Sequence, residues 1–173
     1  LVYQTEDAGN NSGFYRFTPQ HPARLDSGTL EMLAVKGSPD ATLYIGQTVG
    51  RRLAVEWVKI DDPDPSLESG AMSCFRQGRA KGGAAFNRLE GLFRGEDGRS
   101  IYFLSTSGGD NRGPDGDGYG QMWHYLPADG ELQQEDQLVL VFESESGGVL
   151  ESPDNLCLTP NGGALFCEDD AVS

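Results

Sequence analysis

The chain has 173 residues, of which 37% are hydrophobic, with 24 glycines, 9 prolines and a formal net charge of −14. That length supports one domain with a real core, and that glycine and proline content predicts abundant turns. The 27 acidic against 13 basic residues argue against nucleic acid or an anionic membrane surface as a partner, and no run approaches the ~18 apolar residues of a membrane span.

In chain order, short β-branched and aromatic runs alternate with Gly, Asp and Asn turns, and helical periodicity is nearly absent. The pattern predicts strands at 1–5, 13–18, 29–35, 52–60, 89–94, 100–106, 120–126, 137–143, 154–159 and 164–168. The opening "LVYQTED" runs straight into a strand, with no initiator Met and no signal-peptide pattern, as expected of a chain cut from something longer. Leu138 to Phe142 is a continuous apolar run, expected of a strand buried on both faces. Asp97-Gly98 and Asn161-Gly162 are hairpin dipeptides. Residues 61–85 and 107–120 read as long loops, the first rich in Pro, Gly and charge, the second in Gly and Asp.

An internal repeat organises these strands. Residues 88–106, "RLEGLFRGEDGRSIYFLST", lie over residues 152–170, "SPDNLCLTPNGGALFCEDD", without gaps, at a period of 64 residues. Glu90 falls on Asp154, and Asp97-Gly98 on Asn161-Gly162. The opening strand matches the second half of this hairpin, with Glu6-Asp7 over Asp169-Asp170. Each unit then adds two further strands after a loop. Four strands per unit is what a β-propeller blade needs, so the chain is expected to be all-β, a partial propeller of two to three antiparallel blades. The units run roughly 1–60, 86–145 and 150–173 within a single domain, with 61–85 as a long loop.

Blades of this kind direct the starts of their inner strands toward a central channel. Glu6, Asp7, Glu90, Asp154, Asn155, Glu168 and Asp169 occupy such positions. Carboxylate and amide oxygens converging from several strands suit hard cations, above all calcium. Each of these residues taken alone is equally explained by turn chemistry, because Asp and Asn bond the backbone in turns. Arg88 precedes Glu90 by two residues and shares its face; it either grips an anion with its planar fork or pairs with Glu90. An anionic substrate would need a bound cation to offset the carboxylates. The stretch 115–121, "DGDGYGQ", has the Asp115/Asp117 spacing of an EF-hand loop without its closing Glu or flanking helices, and reads as a flexible acidic loop. His21 and His124 have no partner at ligand spacing, and no serine has a nucleophile-elbow context. Cys157 and Cys167 fall on neighbouring strands and could pair; buried free thiols, Cys74 included, are the alternative expectation.

"YQTEDAGNNSGFYRFTP", "RLEG…GRSIYFLSTSGG", "GQMWHYLP", "VFES" and "SPDNLCLTPNGGALFCEDD" together resemble the secreted PhoX-like alkaline phosphatase family, also called DUF839. The likeness touches most of the chain and is weak over 36–84. It implies a six-bladed propeller exported by the twin-arginine route to the periplasm or beyond, with iron and calcium in its channel, hydrolysing phosphomonoesters at alkaline pH. On that pattern Arg88 touches the phosphate and Glu90 ligates a metal. Glu6 and Asp7 match the family's "TED", and Asp154 and Asn155 its "PDN", as further ligands. The family's iron-ligand cysteine, a nearby glutamate and a His-Glu pair all precede "TED", and this chain begins after them. None of Cys74, Cys157 and Cys167 matches that cysteine. The chain is therefore expected to be a fragment, a poor enzyme or none by itself, with exposed strand edges. The competing expectation is a calcium-stabilised propeller that binds or scaffolds without turnover.

Overall fold

Every predicted run becomes a strand: β1 (Val2–Thr5), β2 (Phe14–Pro19), β3 (Gly28–Val35), β4 (Arg52–Lys59), β5 (Leu89–Arg94), β6 (Ile101–Ser105), β7 (Gln121–Leu126), β8 (Gln137–Glu143), β9 (Pro153–Leu158) and β10 (Ala164–Glu168). The computed structural model describes residues 1–66, 68, 70–113, 116–131 and 133–169. Asp115 and Asp170 lie outside these residues.

The expectation of a loop over 61–85 needs correction, because α1 (Cys74–Arg79) forms within it. Six residues are too few for a 3.6-residue period to show in the sequence. Local chemistry makes the helix instead. The Ser73 hydroxyl caps it by accepting from the Arg76 amide, and Phe75 packs with Tyr15, Met32, Ile60 and Ala85 on the outer face of β2 and β3.

Eight strands form one antiparallel sheet in the order β1-β2-β3-β4-β8-β7-β6-β5. It consists of two four-stranded meanders joined where β4 pairs with β8, Arg52 with Val139, Leu53 with Leu138 and Ala54 with Gln137. The sheet curls until its two edge strands meet, where the Thr5 hydroxyl donates to the Glu90 carbonyl at 2.6 Å. Inside the curl both meanders fill one core. Phe14 stacks on Phe103 with centroids 4.3 Å apart, and Phe86 meets Trp123 edge-on at 5.7 Å. Leu138, Val139 and Leu140 are all buried, as the unbroken apolar run requires. The hairpin β10-β9 forms a separate two-stranded sheet. It lays Leu156, Leu158, Ala164 and Phe166 on the outer face of the second meander, against Leu104, Met122 and Phe142.

Asp136 braces the narrow junction between the meanders. One carboxylate oxygen accepts from Trp57 Nε1 at 3.0 Å and from the Tyr125 hydroxyl at 2.6 Å, and the other from the Ala128 amide at 2.8 Å. Its own carbonyl accepts from the Val55 amide at 2.9 Å. Burial alone would raise its pKa, but these donors outweigh burial and hold it below the usual carboxylate value. Arg16 lies 4.6 Å over the Trp57 ring and pairs with Glu31 at 2.7 Å, which closes the network on the β2 side.

The repeat is visible in backbone geometry. Arg88 and Ser152, 64 positions apart, both take a φ of +49°, the left-handed region that non-glycine residues rarely enter. The Arg88 carbonyl accepts from the Thr106 amide, and the Ser152 carbonyl accepts from the Asp169 amide. Both hairpins also carry one bulge at the same place, between Leu89 and Leu92 in one and beside Glu168 in the other. The match is not gapless, however. The first turn closes from Gly95 to Ser100 and the second from Thr159 to Gly163, one residue shorter, so Thr106 is the counterpart of Asp169. Gly98 and Gly162 supply the positive φ values, +70° and +78°, that these turns demand.

The cysteine expectation divides. All three thiols are free, but Cys157 and Cys167 are exposed and only Cys74 is partly covered, so burial is corrected for the pair. Both sit on the outward side of a hairpin whose other face carries the apolar contacts.

Replacing Asp136 with Ala removes three hydrogen bonds at once and leaves the Trp57 and Tyr125 donors in a partly buried site. The expected loss of folding stability is about 2–4 kcal/mol, read as a lower denaturant midpoint. An unchanged midpoint would mean the junction is held elsewhere.

Candidate functional site

The site begins with the turn between β1 and β2. Ser12 is fully buried; its hydroxyl accepts from the Ala8 amide at 3.1 Å and donates to the Gly9 carbonyl at 2.8 Å, which fixes the loop that carries Asp7. Two bonds then dock the segment leading into β5 against this loop. The Phe86 amide donates to the Ser12 carbonyl at 2.9 Å, and the Arg88 amide donates to the Gly9 carbonyl at 3.0 Å. Asn87, between them, is buried; it donates to the Ser107 carbonyl at 2.9 Å, and its own carbonyl accepts from the Ser105 hydroxyl at 2.7 Å. With both neighbours pinned, the left-handed backbone at Arg88 swings the guanidinium over the turn.

There Arg88 Nε meets Asp7 Oδ1 at 3.2 Å and Nη2 meets Glu90 Oε1 at 3.3 Å. Sequence spacing alone allowed an ion pair with Glu90; the bond to Asp7, 81 positions away, comes from the fold. Asp154 is brought close by Gly91. A side chain there would collide with the backbone of Asp154 and Asn155, so glycine is what lets β5 and β9 touch. Thr106 adds a second tie, its hydroxyl donating to the Pro153 carbonyl at 2.7 Å.

Carboxylates thus crowd this guanidinium and its partner Glu90. Asp7 and Glu90 contact it, Asp154 acts on Glu90 through space, and Asp169 acts on Arg88. The imbalance shows in protonation. Burial, then a hydrogen bond and the charge of Asp7, then the charge of Asp154 push the Glu90 carboxyl up to about 7, and Arg88 offsets only part of this.

The remaining sequence candidates point elsewhere. Glu6 accepts from the Tyr15 hydroxyl at 2.6 Å, and burial raises its pKa; it lies by Cys74 and Pro63 in a separate depression. Asn155 donates to Asp154 at 2.7 Å, which spends that side chain on its neighbour. Glu168 accepts from the Glu151 amide at 2.7 Å. In the acidic loop, Asp117 folds back to within 3.5 Å of the Asn87 side chain. Thr5, Asn87, Gly91 and Thr106, which hold the cluster together, carried no sequence signal beyond small size and polarity. Only the left-handed pair Arg88 and Ser152 leaves a trace, in their equivalent places in the repeat.

The donor set is all oxygen and in negative excess, which fits a hard cation in chemistry. Among the described residues, though, no three His, Cys, Asp or Glu side chains stand at ligand spacing, so Asp7, Glu90 and Asp154 do not form a closed cage. Iron finds no thiolate here: Cys74 lies on α1 beside Asp62 and Pro63, and Cys157 and Cys167 lie on the outward face of the hairpin.

Glu90 binds its proton more tightly in the fold than in the unfolded chain, so metal-free stability should fall as pH rises from about 4.5 to about 7. Glu90→Gln should flatten that fall, and carboxyl-carbon NMR should show Glu90 titrating near 7 in the wild type. A Glu90 that titrates near 4.5, with the slope unchanged in Glu90→Gln, would contradict the charge imbalance. Gly91→Val should separate β5 from β9, cost about 1–3 kcal/mol, and return Glu90 toward its ordinary value as Asp154 recedes.

Comparison with known proteins bears on the family and the fold. The sequence profile of the family described as alkaline phosphatase PhoX matches residues 1–173. Among solved structures, Pseudomonas fluorescens PhoX in complex with vanadate, a transition state analogue, superposes with a TM-score of 0.62 at 17% identity, covering 97% of this chain and 36% of that one. The curated protein sequences contain no match. At that identity the superposition speaks for the fold, an all-β partial propeller, and the chain spans 36% of the length of that relative. The match over the whole sequence settles the family: this chain belongs to the PhoX alkaline phosphatases.

Proposed function

We propose that the Arg88 cluster is one wall of a phosphomonoesterase site, completed by the other parts of a full-length family protein. The single observation that carries this is the Arg88 guanidinium held between Asp7 and Glu90 at the converging strand ends. A phosphate ester brought to this cluster unaided is repelled. Each carboxylate about 4 Å from a phosphate charge opposes it by roughly 1 kcal/mol in water and about 4 kcal/mol at an effective dielectric of 20. One arginine cannot offset several such groups. The cluster must therefore take up cationic charge before it can take up substrate.

Asp7, Glu90 and Asp154 are the residues that would hold a hard divalent cation, calcium by preference. Such an ion supplies the positive charge that polarises phosphoryl oxygens and compensates their development of charge. Arg88 then has a different set of partners. With those carboxylates holding a cation, its fork would be left to bind two phosphoryl oxygens and to stabilise the charge that builds on them. Glu90 would hold such a cation as the ionised carboxylate, since a ligating carboxyl must be deprotonated. Asn87 and the Gly9–Ser12 turn hold the arginine's backbone in place throughout. An iron ion, if the full-length protein uses one, draws its thiolate from outside these residues. Periplasmic or extracellular placement, and blade units at 1–60, 86–145 and 150–173, belong to the same proposal.

A second reading, a calcium-stabilised scaffold without turnover, is favoured by the fact that Arg88 already has both its carboxylate partners. Hydrolysis of p-nitrophenyl phosphate separates the two. In a full-length protein carrying these residues, turnover should be lost on chelation and restored by calcium. Arg88→Ala should lower kcat/KM by about 10²-fold or more, with metal content unchanged. No turnover in a folded, metal-loaded sample, or activity indifferent to chelator, would overturn the phosphatase reading in favour of the scaffold.

A further inference from the structure

Thr106 is fully buried and bonds in two directions. Its amide donates to the Arg88 carbonyl at 2.8 Å, and its hydroxyl donates to the Pro153 carbonyl at 2.7 Å. Arg88 belongs to one unit of the repeat and Pro153 to the next. Pro153 directly precedes Asp154, whose charge acts on Glu90. One residue therefore ties the arginine of one unit to the acidic strand start of its successor.

The surroundings are shaped for this tie. A side chain at Gly91 would strike the backbone of Asp154 and Asn155, and one at Gly120 would strike the Pro153 ring. β9 enters the slot these two glycines leave, and Pro153 is buried in it. A buried carbonyl needs a donor, and the Thr106 hydroxyl supplies one. The repeat shows why the residue type matters. Glu6 and Asp169 stand at the equivalent places of the other two units, and Asp169 repeats the backbone bond, its amide donating to the Ser152 carbonyl. An ionised carboxylate only accepts hydrogen bonds, so neither side chain could bond a carbonyl as Thr106 does. The hydroxyl belongs to the junction that holds Arg88.

We infer that Thr106 is a positioning residue for the cation site: by joining Arg88 to Pro153 it fixes where Asp154 stands against Glu90. This role rests on Asp7, Glu90 and Asp154 as the holders of a divalent cation, and it gives Thr106 no contact with ion or substrate. Acidic groups from two units hold an ion well only when their spacing is set before the ion arrives. Otherwise part of the binding energy goes into ordering them.

The test is a calorimetric titration of calcium into a chelator-treated, full-length family protein carrying these residues, paired with denaturant unfolding of the metal-free form. Thr106→Val keeps the side-chain shape and the backbone bond while removing the donor. It should weaken calcium binding by about 10-fold, the order that one hydrogen bond commands. Thr106→Ser keeps the hydroxyl and should bind calcium as the wild type does, although the lost methyl lowers its denaturant midpoint. Asp136→Ala should also lower the midpoint with calcium affinity unchanged, since it loosens the meander junction and not the β5–β9 contact. Thr106→Ala should match Thr106→Val in affinity, and is read in its place if Thr106→Val does not fold. Wild-type affinity in both donor-free variants would overturn the assignment. So would affinity that falls in step with stability in Thr106→Ser and Asp136→Ala. A wild type that binds no calcium would sink it together with the cation reading. Calcium binding in the expected order, without hydrolysis of p-nitrophenyl phosphate, would uphold Thr106 and strike only the phosphatase reading.

Discussion

The arrangement of this chain turns on Arg88, held in a left-handed backbone conformation and shared between carboxylates from two different strand ends. Forcing a β-carbon into that region costs on the order of 1–2 kcal/mol, and the surrounding contacts must over-determine it. They do so from three sides. The β1–β2 turn binds the Arg88 amide, the Thr106 amide binds its carbonyl, and buried Asn87 anchors the step before it. Together they hold the guanidinium across Asp7 and Glu90, beside the seam where the Thr5 hydroxyl of β1 meets the Glu90 carbonyl of β5.

The repeat explains how one scaffold yields unlike chemistry at equivalent places. Ser152 copies the backbone of Arg88 and Asp154 copies Glu90, yet the second position has no guanidinium. Asp7 leans on Arg88 from the end of the preceding unit, and its counterpart one unit later is Ser107, a neutral residue. Charge is therefore concentrated at one junction between units and thinned at the next. The repeat thus places one arginine among recurring acidic positions.

The strands were legible because period-two alternation and hairpin dipeptides report burial directly, and burial is what makes a strand. The helix α1 was hidden because six residues stabilised by Ser73 and by Phe75 leave no periodic mark. Of the acidic candidates, the sequence found Asp7, Glu90, Asp154 and Asp169 but could not separate them from Glu6, Asn155 and Glu168. Adjacent residues in an extended turn point to opposite sides, so Asp7 reaches Arg88 while Glu6 is taken by Tyr15. Which of the two would face the cluster depends on how the turn docks, and Ser12 and Phe86 decide that across 74 positions of chain. Asp136 escaped notice for a similar reason, since its partners Trp57 and Tyr125 converge only after the meanders join.

Cation uptake and arginine release are two halves of one exchange in this account. On the proposed reading, the carboxylates that hold Arg88 would bind the cation, and the arginine they release would meet phosphate. A crystal structure of a full-length family protein carrying these residues, with calcium and vanadate bound, examines that exchange directly. The account predicts Asp7 and Glu90 on the cation, and the Arg88 guanidinium within hydrogen-bonding distance of vanadate oxygens. Arg88 still locked on Asp7 and Glu90, with vanadate bound by other residues, would contradict it.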